Sequence, residues 1–148
     1  MSLSNHKGEF YLINLILISH GAFAAGMREA AEMILGEQEQ LAVFGLYPGD
    51  TVETFSSKLE KAIDDFGDPA NTLLLADLPS GTPSNTAMLM VLKRGVHAIS
   101  GCNLPALLEI LTLRTEVSME ELIASALASG KDGIISADDT IKEREATQ

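Results

Sequence analysis

Leu12-Ile13-Asn14-Leu15-Ile16-Leu17-Ile18 runs directly into a turn, Ser19-His20-Gly21, and the character of this stretch decides the fold. Its apolar side chains do not alternate cleanly with polar ones, the pattern of a strand covered on both faces. Such strands belong to parallel sheets, which need a helix between successive strands. The next residues supply one. Phe23, Met27, Ala30, Ala31, Ile34 and Leu35 recur at helical spacing, and Gly36 provides a stop.

The same unit repeats along the chain. Leu41 to Tyr47 reads as a second strand, with Pro48-Gly49 as a turn. Asp50 and Glu53 form a capping-box pattern for a helix carrying Val52, Phe55, Leu59, Ile63 and Phe66 and ending near Gly67. Thr72 to Ala76 is a third strand, stopped by Asp77. A third helix is expected from Pro83, capped by Thr82, to about Arg94, with Gly95 after it. Val96 to Ile99 is the fourth strand and Ser100-Gly101-Cys102-Asn103 its exit loop. Pro105 opens a helix to about Leu113, and Ser118 with Glu121 caps another that ends at Gly130. This order predicts an open α/β domain, a mainly parallel sheet with helices on both faces.

Residues 1–9 read as a leader or cloning remnant, residues 10–135 as the single domain, and residues 136–148 as a polar C-terminal tail. The length of 148 residues suits one core. The formal charge of −11 argues against nucleic-acid binding, which depends on cationic side chains. It equally disfavours an anionic membrane surface. The single cysteine, Cys102, excludes an internal disulfide, as expected of a reducing, cytoplasmic setting. The run from Leu12 to Ile18 is far shorter than the roughly 20 residues that span a bilayer.

In an open parallel sheet, ligands bind at the carboxyl ends of the strands. The exit loops expected there hold His20, Asp77 and Ser80-Gly81-Thr82-Pro83-Ser84-Asn85. Of the other histidines, His6 lies in the leader and His97 within the fourth strand. Asp77 ends an apolar strand, a costly place for a carboxylate without a partner. Bonded to one ring nitrogen of His20, it would fix the tautomer and leave the other nitrogen as nucleophile. Gly81 permits close backbone approach, the hydroxyls of Ser80, Thr82 and Ser84 can donate to an anion, and the next helix start favours phosphate. The chemistry expected is phosphoryl transfer through a phosphohistidine, needing no metal or organic cofactor.

At these residues the chain resembles the IIA domain of the mannose/sorbose family of the bacterial phosphoenolpyruvate-dependent sugar phosphotransferase system. The resemblance rests on Ile18-Ser19-His20-Gly21, Ala30 to Gln38, Pro48-Gly49-Asp50, Asp77 with Gly81 to Asn85, and Gly101 to Pro105. It implies phosphorylation of His20 with Asp77 as its hydrogen-bonding partner. It implies HPr as phosphoryl donor and a IIB component as acceptor, here a separate protein, with the membrane reached only through the transporter subunits. It also implies a homodimer built by exchanging a strand, for which Ile134-Ile135 is the candidate. Ser80 stands where the family usually has glycine, so the loop backbone is more restricted.

Other readings have specific signatures. A receiver domain phosphorylated on Asp77 needs an acidic pair after strand one, where this chain has Ser19-His20. A hydrolase with a Ser80, His20 and Asp77 triad lacks the G-x-S-x-G elbow. The phosphotransfer subunit of dihydroxyacetone kinase shares the fold and histidine, though Asp77 with Pro83-Ser84-Asn85 fits the sugar branch better. A regulatory phosphoprotein would accept phosphate on His20 without passing it to any IIB protein.

Overall fold

Strands β1 (Asn14–His20), β2 (Leu41–Leu46), β3 (Thr72–Ala76) and β4 (His97–Ser100) form one sheet, ordered β2-β1-β3-β4, in a computed structural model that describes residues 12–148. Every neighbouring pair is parallel. Six α-helices accompany them: α1 (Phe23–Leu35), α2 (Val52–Phe66), α3 (Thr82–Arg94), α4 (Leu104–Leu113), α5 (Met119–Asp132) and α6 (Ala137–Ala146). The α/β fold read from the sequence is the one observed. The leader expected over residues 1–9 lies outside the described residues.

Helices cover both faces of the sheet because the two central strands are apolar on both sides. Leu15, Leu17, Leu73 and Leu75 pack with residues of α1, α4 and α5. The alternate residues Ile16, Ile18, Leu74 and Ala76 pack with those of α2 and α3. All eight are at most 1% exposed, and burying each large aliphatic side chain stabilises the fold by roughly 1.5–3 kcal/mol. At the amino end of the sheet, buried Arg114 follows α4 and donates to the carbonyls of Ile13, Glu39 and Gln40.

Several boundaries differ from the sequence reading, each for a local reason. β1 extends through Ser19 and His20, which pair with Gly45 and Leu46 of β2 instead of turning. Thr51, not Asp50, caps α2, in a reciprocal box with Thr54. Asp50 is occupied in the preceding turn, where its Oδ2 accepts the Tyr47 N–H at 2.7 Å. The N-cap of α3 is Gly81, with Thr82 already helical. Gly130 does not stop α5. It lets α5 cross close to α4, where a Cβ would stand 3.3 Å from Ala106 Cβ and from Asn103 Oδ1. The polar tail contains α6, which has no buried residue.

Candidate functional site

β1 lies between β2 and β3, so the chain leaves β1 towards one edge and later returns to its other side. The crevice between the carboxyl ends of β1 and β3 is therefore where strand order reverses, the place such sheets reserve for ligands. His20 is the last residue of β1, and Asp77 directly follows β3. The topology brings these two residues, 57 apart in sequence, into contact.

One oxygen of Asp77 makes two bonds to His20. Oδ2 stands 2.9 Å from ring Nδ1 and accepts the His20 backbone N–H at 3.0 Å. The Leu78 N–H donates to Oδ1 at 3.0 Å. The Asp77 side chain is 10% exposed and that of His20 is 49% exposed. Burial alone would raise the Asp77 carboxyl, but its bonds to the His20 ring and backbone, with the Leu78 N–H, outweigh this and hold it below its ordinary value. An ionised carboxylate only accepts hydrogen bonds. Nδ1 must then be the donor, and in the neutral ring the lone pair is on Nε2.

Gly81 lies against that nitrogen. A Cβ built there would stand 3.1 Å from His20 Cε1 and 3.2 Å from Nε2, and its φ of +92° suits glycine. The space beside Nε2 is open because Gly81 has no side chain. Ser80 is exposed and Thr82 half-buried at the start of α3, where helix N–H groups lack partners within the helix. Ser84 is different. It is buried, and its hydroxyl is paired with that of Ser100 at 2.7 Å. Thr82 and Ser84 therefore offer backbone N–H groups, while the Ser84 hydroxyl is committed elsewhere.

Two further residues shape the site without a signal in hydropathy. Ser19 is fully buried, and its Oγ accepts the Ala24 N–H at 2.8 Å, capping α1 from upstream of its formal N-cap, Ala22. Gly45 lies so close to Gly21 that any Cβ would strike the Gly21 carbonyl. A glycine inside a strand is a recognisable sign of close backbone approach. Cys102 is buried, which pushes its thiol up to about 12, and its N–H donates to Ala76 O at 2.9 Å.

At the mouth of the crevice, His20, Phe23, Asp77 and Leu78 line an open hollow of about 380 Å³. Phe23 and Leu78 are 53% and 50% exposed. A larger cavity, about 520 Å³ between β2 and α2, is lined by Phe44, Lys58, Lys61 and Phe66 among others. Its polar lining includes the solvent-exposed ion pair of Lys61 with Asp65, 2.8 Å apart. The smaller hollow is the one lined by the bonded His20 and Asp77.

Comparison with known proteins agrees in sequence and in structure. Residues 14–127 match the family model EIIA-man, described as the PTS system fructose IIA component. The chain is 31% identical over 113 residues to the PTS system fructose-specific EIIA component of Bacillus subtilis, covering 76% of this chain and 77% of that one. It is 33% identical over 124 residues to the PTS system mannose-specific EIIAB component of Escherichia coli, covering 82% of this chain but 38% of that longer protein. The crystal structure of the phosphotransferase system component EIIA from Streptococcus agalactiae superposes with a TM-score of 0.80 at 26% identity, covering 86% of this chain and 99% of that one.

Proposed function

The chain belongs to the EIIA-man family of sugar-phosphotransferase IIA components, and from that premise we propose that it carries a phosphoryl group on His20. HPr is the donor, a separate IIB protein is the acceptor, and the relay serves sugar uptake. The observation that carries this reading is the bond from His20 Nδ1 to Asp77 Oδ2, which leaves Nε2 as the free nucleophile beside Gly81.

In the proposed step, the Nε2 lone pair attacks the phosphorus of a phosphohistidine on HPr. A new N–P bond forms as the old one breaks, and the donor imidazole keeps that electron pair. Positive charge grows on the His20 ring, and the Asp77 carboxylate stabilises it through Nδ1–H. The Gly81-Thr82 backbone at the start of α3 and the hydroxyls of Ser80 and Thr82 hold the phosphoryl oxygens. Onward transfer to IIB repeats these events in reverse. The relatives' own descriptions, fructose and mannose, support the sugar branch over dihydroxyacetone kinase.

We assign residues 10–135 to this IIA domain and its work to the cytoplasm. Among the described residues no helix is long and apolar enough to cross a membrane. A homodimer belongs to the same reading. Ile134 and Ile135 are 78% and 71% exposed, and Ile134 lines a hollow beside Ile99 and Ser100 of edge strand β4. They are suited to add a strand to a second copy, and Ile135→Asp should shift the protein to monomer in sedimentation equilibrium.

The central test is incubation with phosphoenolpyruvate, enzyme I and HPr. Native protein should gain an acid-labile phosphoryl label that His20→Ala does not. Label persisting in His20→Ala would overturn the site.

A further inference from the structure

The loop from Asp77 to Gly81 carries the carboxylate bonded to the His20 ring and the glycine whose missing side chain leaves room beside it, yet Leu78, Pro79, Ser80 and Gly81 are exposed. Little burial holds it, so its position depends on what braces it from behind. One brace is Ala76 O, which accepts the N–H groups of Gly101 and Cys102 at 3.0 and 2.9 Å. A second is the Gly101 backbone, where a Cβ would stand 3.6 Å from Pro79 Cγ. The third is the hydroxyl pair Ser84 Oγ···Ser100 Oγ.

That pair joins the last residue of β4 to the first turn of α3. The same turn includes Gly81, whose carbonyl accepts the Asn85 N–H at 2.9 Å. Ser84 is 1% exposed, so its hydroxyl cannot exchange this partner for bulk water without cost. Pro83 has no N–H, which leaves Thr82 and Ser84 as the helical N–H donors of the turn. Any movement of the turn shifts these donors against the ring.

We propose that Ser84 and Ser100 are positioning residues for phosphoryl transfer, holding the first turn of α3 at the distance from His20 that the transition state requires. This deepens the reading of His20 as the phosphoryl carrier and rests on it. Neither hydroxyl touches the phosphoryl group. Their bond acts through the loop, so it should govern the chemical step and leave donor docking alone.

The test compares Ser84→Ala, Ser100→Ala, the double variant and Ser100→Thr in transfer from phosphorylated HPr. Each single alanine variant should lower kcat by about tenfold, the scale of one misplaced hydrogen-bonding group, with KM for the donor unchanged. The double variant should match the singles, because both remove one bond. Ser100→Thr, which keeps the hydroxyl, should restore kcat. Should an alanine variant fail to fold, Ser100→Cys carries the same expectation of lowered kcat. Unchanged kcat in the folded variants, or a fall confined to KM, would overturn the positioning role while native label remained on His20. Native label that survives His20→Ala would overturn the carrier reading and this inference with it.

Discussion

Asp77 Oδ2 binds the ring and the backbone of His20 at once, at 2.9 Å from Nδ1 and 3.0 Å from the amide nitrogen. The carboxylate therefore sets both the tautomer of the imidazole and the position of the strand end that carries it. Asp77→Ala removes both bonds, and loss of an orienting and charge-stabilising group typically costs about 10²-fold or more. Phosphoryl acceptance from HPr should fall by about that factor, with the far-ultraviolet circular dichroism unchanged. An unaltered rate in the folded variant would remove Asp77 from the mechanism.

The same contact gives a pH signature in stability. Burial opposes ionisation of Asp77, but its bonds to His20 and Leu78 prevail, so the folded-state value lies below the ordinary 3.8. The unfolded chain thus binds the proton more readily, and stability from this group is present above about pH 4. It is lost as pH falls through the lower folded value. Urea midpoints of native protein and Asp77→Asn should differ at pH 5 and converge as pH falls below 4. A difference that kept growing below pH 4 would contradict this sign.

Gly81→Ala isolates the open space beside Nε2. The added methyl would sit 3.2 Å from that atom, and φ of +92° adds backbone strain of about 1–2 kcal/mol. Gly95→Ala is the control, since its φ of +72° imposes similar strain with nothing within 4 Å. Both variants should lose comparable stability in thermal melts. Phosphorylation below the melting range should fall at least about tenfold in Gly81→Ala alone. Equal phosphorylation in both would mean that the methyl does not obstruct the nitrogen.

What could be read from the sequence follows from where each residue's partners lie. Thr72 to Ala76 forms β3 as expected, because an apolar run between polar ends carries its own signal, and so does the helix stop at Gly95. The crevice was legible too, since a parallel sheet sends every exit loop to one rim. Ser19 reads as turn from the sequence because hydropathy cannot show that its hydroxyl is satisfied inside by the Ala24 N–H. Asp50 and Thr51 compete for one cap, and the Tyr47 turn that occupies Asp50 exists only once folded. In the sequence the Ser84 hydroxyl suits an anion, and only folding brings Ser100, 16 residues on, against it.

Arg114 separates the stability of the fold from the chemistry of the rim. It is 2% exposed and reaches Ile13 O and Gln40 O at 3.3 Å, Glu39 O at 2.6 Å and Gln38 Oε1 at 3.2 Å. These bonds tie the end of α4 to the start of β1 and the segment before β2, at the sheet end opposite His20. Arg114→Met fills similar space but strands those carbonyls, at a cost of roughly 2–4 kcal/mol. That corresponds to a fall of about 5–15 °C in Tm for a chain of this size. Arg114→Lys should fall in between, because one ammonium cannot reproduce the guanidinium's fork. Both variants should accept phosphate at the native rate well below their melting ranges, since no bond of Arg114 reaches the crevice. A slowed rate in fully folded Arg114→Met would show that the two ends of the sheet are coupled.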